Sequence, residues 1–168
     1  VEIADKIAFG ENVAPAAIGA LQKGKPILCD AEMVRQGIIS RLLPADNPII
    51  CTLNADGNAE RAGKLGTTRS AAAIEDWADH IDGAIIAIGN APTALFRLME
   101  SILAGGPRPA IILGFPVGFV GAAESKQALA ATDGLPPFLT LPDRRGGSAM
   151  AAAAVNALAI LAGKGTTP

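Results

Sequence analysis

The chain has 168 residues, half of them hydrophobic and 18% charged, with a formal net charge of -2. That length and apolar content suit one compact domain with a single core and exclude a disordered chain. The 14 Lys and Arg are scattered, which argues against nucleic acid as a partner, and no apolar run reaches the roughly 20 uninterrupted residues of a membrane span.

Five short runs stand out in chain order: Pro26 to Cys29, Ile49 to Leu53, Ala84 to Ile88, Ala110 to Leu113 and Phe138 to Leu141. Each is continuously apolar rather than alternating, as expected of strands covered on both faces. Between the second and third, Ile74, Trp77, Ala78 and Ile81 have helical spacing. A further helix carries Leu95, Leu98, Met99, Ile102 and Leu103, with Asn90 as its expected N-cap, Pro92 in its first turn and Gly105-Gly106-Pro107 as its stop. A last helix follows Gly146-Gly147 and runs from Ser148 through alanine-rich sequence to Leu161, its small side chains suited to close approach. Strands alternating with helices predict a doubly wound, parallel α/β sheet of about five strands. One domain is expected over residues 1–162, followed by a flexible Gly/Thr/Pro tail over 163–168.

In such sheets ligands bind at the carboxyl ends of the strands. The residues there are Asp30 and Glu32, then Gly89 to Thr93, then Gly114 to Lys126, then Arg144 to Ser148, with a further helix opening at Gly66-Thr67-Thr68-Arg69-Ser70. Glycine- and hydroxyl-rich turns at helix N-termini favour anions, so an acidic ligand is expected. Arg69, a cation in a first helical turn, opposes the dipole and calls for an anion: a ligand, or Asp30 or Glu32. Surface solvation is the competing role for Lys126, and Asn90 has its capping role.

Other chemistries lack their patterns. Gly114, Gly118 and Gly121 do not fit G-x-G-x-x-G, no P-loop is present, and Ser148 lacks the second glycine of a nucleophile elbow. The one histidine, His80, is expected solvated at a helix C-terminus. Cys29 and Cys51 read as buried reduced thiols rather than metal ligands, and with no secretory leader at the start they predict a cytoplasmic protein.

Five blocks carry a family resemblance: Pro26 to Val34, Gly66 to Ala72, Ala87 to Leu95, Gly114 to Lys126 and Arg145 to Met150. In order and over nearly the whole chain they resemble the signature blocks of the precorrin-8X methylmutases and their cobalt-precorrin-8 relatives. The resemblance implies a flavodoxin-like fold, a homodimer with active sites near the subunit interface, no organic cofactor and no protein-bound metal. The implied reaction belongs to cobalamin (vitamin B12) biosynthesis, the isomerisation of precorrin-8X to hydrogenobyrinic acid by migration of a methyl from C-11 to C-12. A tetrapyrrole fringed by carboxylates suits the residues above, and the contacts expected for it are Asp30, Met33, Thr68, Arg69, Ser70, Asn90, Thr93, Glu124, Ser125, Lys126, Arg145 and Ser148. Phe115, Phe119 and Met33 are expected to cover the ring. The family's proton-handling histidine lies upstream of the segment matching Val1-Glu2. No catalytic residue is therefore expected within these 168 residues, and slow or absent turnover is expected of the chain as it stands. A non-catalytic tetrapyrrole-binding protein of the same fold is the alternative.

Overall fold

The structure, a computed structural model, describes residues 3–164. Its strands are β1 (Ala8–Phe9), β2 (Ile27–Cys29), β3 (Ile49–Cys51), β4 (Ile85–Ile88), β5 (Ile111–Gly114) and β6 (Phe138–Thr140). Its helices are α1 (Val13–Gln22), α2 (Glu32–Gly37), α3 (Asn58–Leu65), α4 (Arg69–Ala72), α5 (Pro92–Leu103), α6 (Ala122–Ala131) and α7 (Ser148–Lys164), with short 3-10 turns between some of them.

The sheet order is β1-β6-β5-β4-β2-β3. The five apolar runs form β2 to β6, all parallel, and their order is the flavodoxin-like 2-1-3-4-5. The sixth strand is β1, which pairs antiparallel with β6 through Ala8 and Phe9 and covers that edge. Two residues are too few for any periodicity, so about five parallel strands becomes six with one reversed.

Strand alternation divides the core. Leu28, Ile86, Ile88 and Ile112 face one side and pack with Trp77 and with Leu95, Leu98 and Met99 of α5. Ile27, Cys29, Ile85, Ala87, Ile111 and Leu113 face the other, under α1, α2 and α7. Both faces are dry, which is why the strands lack polar alternation. Each fully buried Leu or Ile contributes about 1.5–3 kcal/mol.

Two helix expectations change. The Ile74–Ile81 stretch follows the short α4 and consists of a 3-10 turn, Ala73–Trp77, and the turn after it, with Ile74, Trp77 and Ile81 buried but Ala78 exposed. Three residues per turn align Ile74 with Trp77 directly, and Gly83, at φ 70°, turns the chain into β4. His80 therefore lies in an exposed turn, its N–H donating to the Trp77 carbonyl, and not at a helix C-terminus. At the other end α7 continues through Gly163 and Lys164, and the rest of the expected tail, 165–168, lies outside the described residues.

Candidate functional site

The strand order reverses between β2 and β4, and the loops after those strands meet there. Asp30 follows β2 directly and is buried, 3% exposed. Its Oδ1 accepts the Gly89 N–H at 2.8 Å, and its Oδ2 accepts those of Asn90 and Ala91 at 2.9 and 2.8 Å. Burial pushes the Asp30 carboxyl up, and these three donors pull it back. Two sequence expectations fail as a result. Asp30 is engaged inside the protein and presents no oxygen to a ligand. The Asn90 side chain does not cap α5, because Ala91 occupies the N-cap position, and the anion at this helix start is the Asp30 carboxylate, bound to the N–H groups that lead into the first turn. The α5 N-terminus thus already holds its anion, while the exposed side chains of Asn90 and Thr93 flank it.

The β5 and β6 loops are joined to this point by glycines. A Cβ on Gly89 would lie 2.7 Å from the Ser148 Cα, and one on Gly146 would lie 2.4 Å from the Phe115 carbonyl oxygen. The Gly147 N–H donates to that same carbonyl at 2.8 Å, which seats the start of α7 and half-buried Ser148 against the switch point. Phe115 is 4% exposed and belongs to the core, so it does not cover a ring; Phe119 and Met33, 85% and 73% exposed, do face outward.

Ser125 and Lys126 also turn inward. The Ser125 hydroxyl donates to the Ala122 carbonyl at 3.1 Å within α6. Lys126 is fully buried, its Nζ donating to the Arg145 carbonyl, so neither a ligand contact nor surface solvation describes it. Burial lowers the Lys126 amine below its ordinary range, with Asp143 opposing that shift. The Arg145 Nε donates to Asp143 at 2.9 Å, and that bond holds the Asp143 carboxyl below the usual carboxylate range. Glu124 is exposed in the first turn of α6.

Arg69 is arranged differently. Its exposed guanidinium Nη2 donates to Asn54 Oδ1 at 2.8 Å and to the Leu53 carbonyl at 3.2 Å, both neutral. Neither Asp30 nor Glu32 is its partner: Asp30 caps α5, and Glu32 takes Arg35 at 2.7 Å. Thr68 caps α4, its Oγ1 accepting the Ala71 N–H at 3.2 Å, and stands 2.7 Å from Thr93 Oγ1. Ser70 follows, half-buried in α4. Thr68, Arg69 and Thr93 therefore come together with Asn54, a residue the sequence reading passed over. Buried Asn58 was missed as well; its Nδ2 donates to the Leu53 and Arg69 carbonyls at 2.8 and 3.0 Å. The usable signal was position, since Asn54 lies in the loop after β3 and Asn58 opens the helix that follows it, at one of the strands whose carboxyl end defines the search.

The cavities are small. One of about 300 Å³ lies beside α4, lined by Thr67, Glu75, Arg97 and Glu100 among others, where Arg97 is already paired with Glu75 at 2.6 Å. Another of about 200 Å³ is apolar and lies under Phe115, Leu139, Leu141 and Met150. Neither is of a size for the expected macrocycle. Among the described residues, no three His, Cys, Asp or Glu side chains come together as a metal site. Cys29 and Cys51 face each other across β2 and β3 as free thiols, and burial pushes both up.

Fold and site together define a flavodoxin-like α/β protein with hydroxyls and an uncompensated arginine on the open carboxyl edge of its sheet. The sequence model of the precorrin-8X methylmutase family matches residues 1–161. The chain is 55% identical over 159 residues to the precorrin-8X methylmutase of Pseudomonas aeruginosa, covering 95% of this chain and 76% of that one. It is 38% identical over 167 residues to the cobalt-precorrin-8 methylmutase of Priestia megaterium, covering 99% of this chain and 73% of that one. The crystal structure of the precorrin-8X methylmutase from Thermus thermophilus superposes with a TM-score of 0.87 at 35% identity, over 99% of this chain and 81% of that one. The chain belongs to the precorrin-8X methylmutase family.

Proposed function

We propose that this protein is an isomerase of cobalamin biosynthesis that converts precorrin-8X to hydrogenobyrinic acid by moving a methyl group from C-11 to C-12 of the macrocycle. Family membership supports the reaction. The observation that ties it to residues is Arg69, a cation held by neutral acceptors beside two paired threonine hydroxyls. Such a group meets a carboxylate of the macrocycle's fringe with charge-assisted hydrogen bonds. Exposed Met33 and Phe119 offer apolar cover for the ring. A sigmatropic shift needs little covalent help from a protein, so the contribution of these residues is to hold the substrate in its reactive form.

The test is turnover of precorrin-8X by the protein expressed from its complete reading frame, followed by visible absorbance, with Arg69→Ala alongside. The wild type is expected to form hydrogenobyrinic acid, and the variant to show a KM raised about tenfold, the worth of roughly 1.4 kcal/mol. An unchanged KM removes Arg69 from the site, and no product from the wild type overturns the reaction.

The reading includes a homodimer, supported by the extensive open edge with its exposed apolar side chains. Light scattering at micromolar concentration should give twice the chain mass; a single-chain mass overturns that part. Among the described residues no helix is long and apolar enough to cross a membrane. Its two free thiols support a reducing compartment, the cytoplasm, as its location.

A further inference from the structure

We propose that Asn54 is a positioning residue for Arg69, fixing the guanidinium through a neutral acceptor so that its positive charge stays free for a carboxylate of the ligand. This rests on the reading of Arg69 given above and goes beyond it by assigning a role to a residue outside the motifs.

The contrast with other arginines carries the inference. Arg35, Arg61, Arg97 and Arg145 are tied to Glu32, Asp76, Glu75 and Asp143. Their charge is compensated within the protein, whereas Arg108, whose Nη2 donates to the neutral Gly134 carbonyl at 2.7 Å, precedes β5 and so lies away from the carboxyl edge. Arg69 has the same fork of donors, yet its two acceptors are an amide oxygen and a main-chain carbonyl, both on one side of the guanidinium. Those bonds use both Nη2 protons and leave Nε–H and the two Nη1 protons as separate charge-assisted donors for carboxylate oxygens.

The loop that presents Asn54 is itself fixed. The Ala55 N–H donates to the Thr52 carbonyl at 3.0 Å and the Asn58 N–H to the Ala55 carbonyl at 3.1 Å. Asn58, 1% exposed, links the Leu53 carbonyl to that of Arg69. Arg69 is therefore held at its main chain by Asn58 and at its head group by Asn54 and Leu53. A side chain ordered beforehand loses less rotamer freedom when a ligand binds.

Asparagine and aspartate have nearly the same shape, so replacing Asn54 with Asp separates tethering from charge. Asp at this position would keep the hydrogen bond, strengthen it and compensate Arg69, as Asp143 does for Arg145. If the loop only needs the bond, this change is harmless. If the neutral acceptor matters, it is the more damaging of two substitutions.

The experiment titrates wild type, Asn54→Asp, Asn54→Ala and Arg69→Ala with hydrogenobyrinic acid by visible absorbance, beside thermal melts. Asn54 is exposed, so melting temperatures should match the wild type. Affinity should fall in the order wild type, N54A, N54D, with N54D about tenfold weaker and close to R69A. The wild-type affinity should also weaken with added salt more steeply than that of N54D. N54D binding as well as or better than N54A, while R69A binds weakly, overturns the role of Asn54 alone. R69A binding as well as wild type removes Arg69 from the site and takes the reading beneath the proposal with it.

Discussion

A carboxylate whose two oxygens accept three main-chain N–H groups is a helix cap supplied from a neighbouring loop, and Asp30 is that group for α5. Truncation to alanine would leave those donors buried without acceptors and remove the anion from the positive end of the helix dipole. The expected cost is about 3 kcal/mol, near the upper end for loss of a hydrogen-bonded charged group. Asp30→Asn keeps one acceptor oxygen but turns an amide toward an N–H donor, so roughly 2 kcal/mol is expected. Urea denaturation of both variants measures this, and a loss below about 1 kcal/mol for Asp30→Ala would show that the cap is dispensable. In the sequence Asp30 was visible as an acid following a strand, but its donors lie in another loop and nothing local names them. The rule that favoured Asn90 as an N-cap is sound for a helix taken alone. It failed here because the helix starts one residue later, at Pro92 with Ala91 as N-cap, while the Asp30 carboxylate holds the N–H groups of Gly89, Asn90 and Ala91 that lead into it. Arg69 shows the reverse case: its place at the start of a helix was readable, while its tether, Asn54, became identifiable only from contacts.

Among the elements, the strands were the most readable because burial on both faces leaves an uninterrupted apolar run with no other local explanation. Strand β1 was not, since its two residues owe their conformation to pairing with Leu139 and Thr140 of β6 rather than to any pattern of their own. The alanine-rich α7 was foreseen as an element suited to close approach, and it finds that approach within the chain. A Cβ on Gly37 would stand 2.7 Å from the Ala152 Cβ, and Gly89 accepts the first turn of α7 at the end of β4. Small residues on both sides thus bring α7 against α2 and the sheet. The segment from Arg69 to Trp77 was readable as apolar and regular but not as a 3-10 turn. Ile74 and Trp77 are spaced to fit either helix type, and the bond from Trp77 Nε1 to Thr52 Oγ1 at 3.0 Å belongs to the tertiary fold.

At the scale of the molecule, the carboxyl edge is a set of loops fastened to one another: Asp30 joins the β2 and β4 loops, Gly89 and Gly146 admit the start of α7, and Lys126 joins α6 to the β6 loop. Lys126 is the fastening whose protonation acts on the whole folding equilibrium. Its amine is lowered in the folded protein because burial penalises the charge, whereas in the unfolded chain it returns to about 10.4. Between the lowered folded value and about 10.4 the unfolded chain binds the proton and the folded chain does not, so stability rises with pH through that window. Below the window both states are charged, and the folded state bears the full cost of holding an ammonium away from water. Lys126→Met has no such group. The stability of the wild type relative to Lys126→Met should therefore increase from pH 7 toward pH 10, measured by urea denaturation at each pH with both proteins in the same buffers. A difference that stays constant, or that falls as pH rises, would mean that the buried amine keeps its proton as readily in the folded protein as in the unfolded chain.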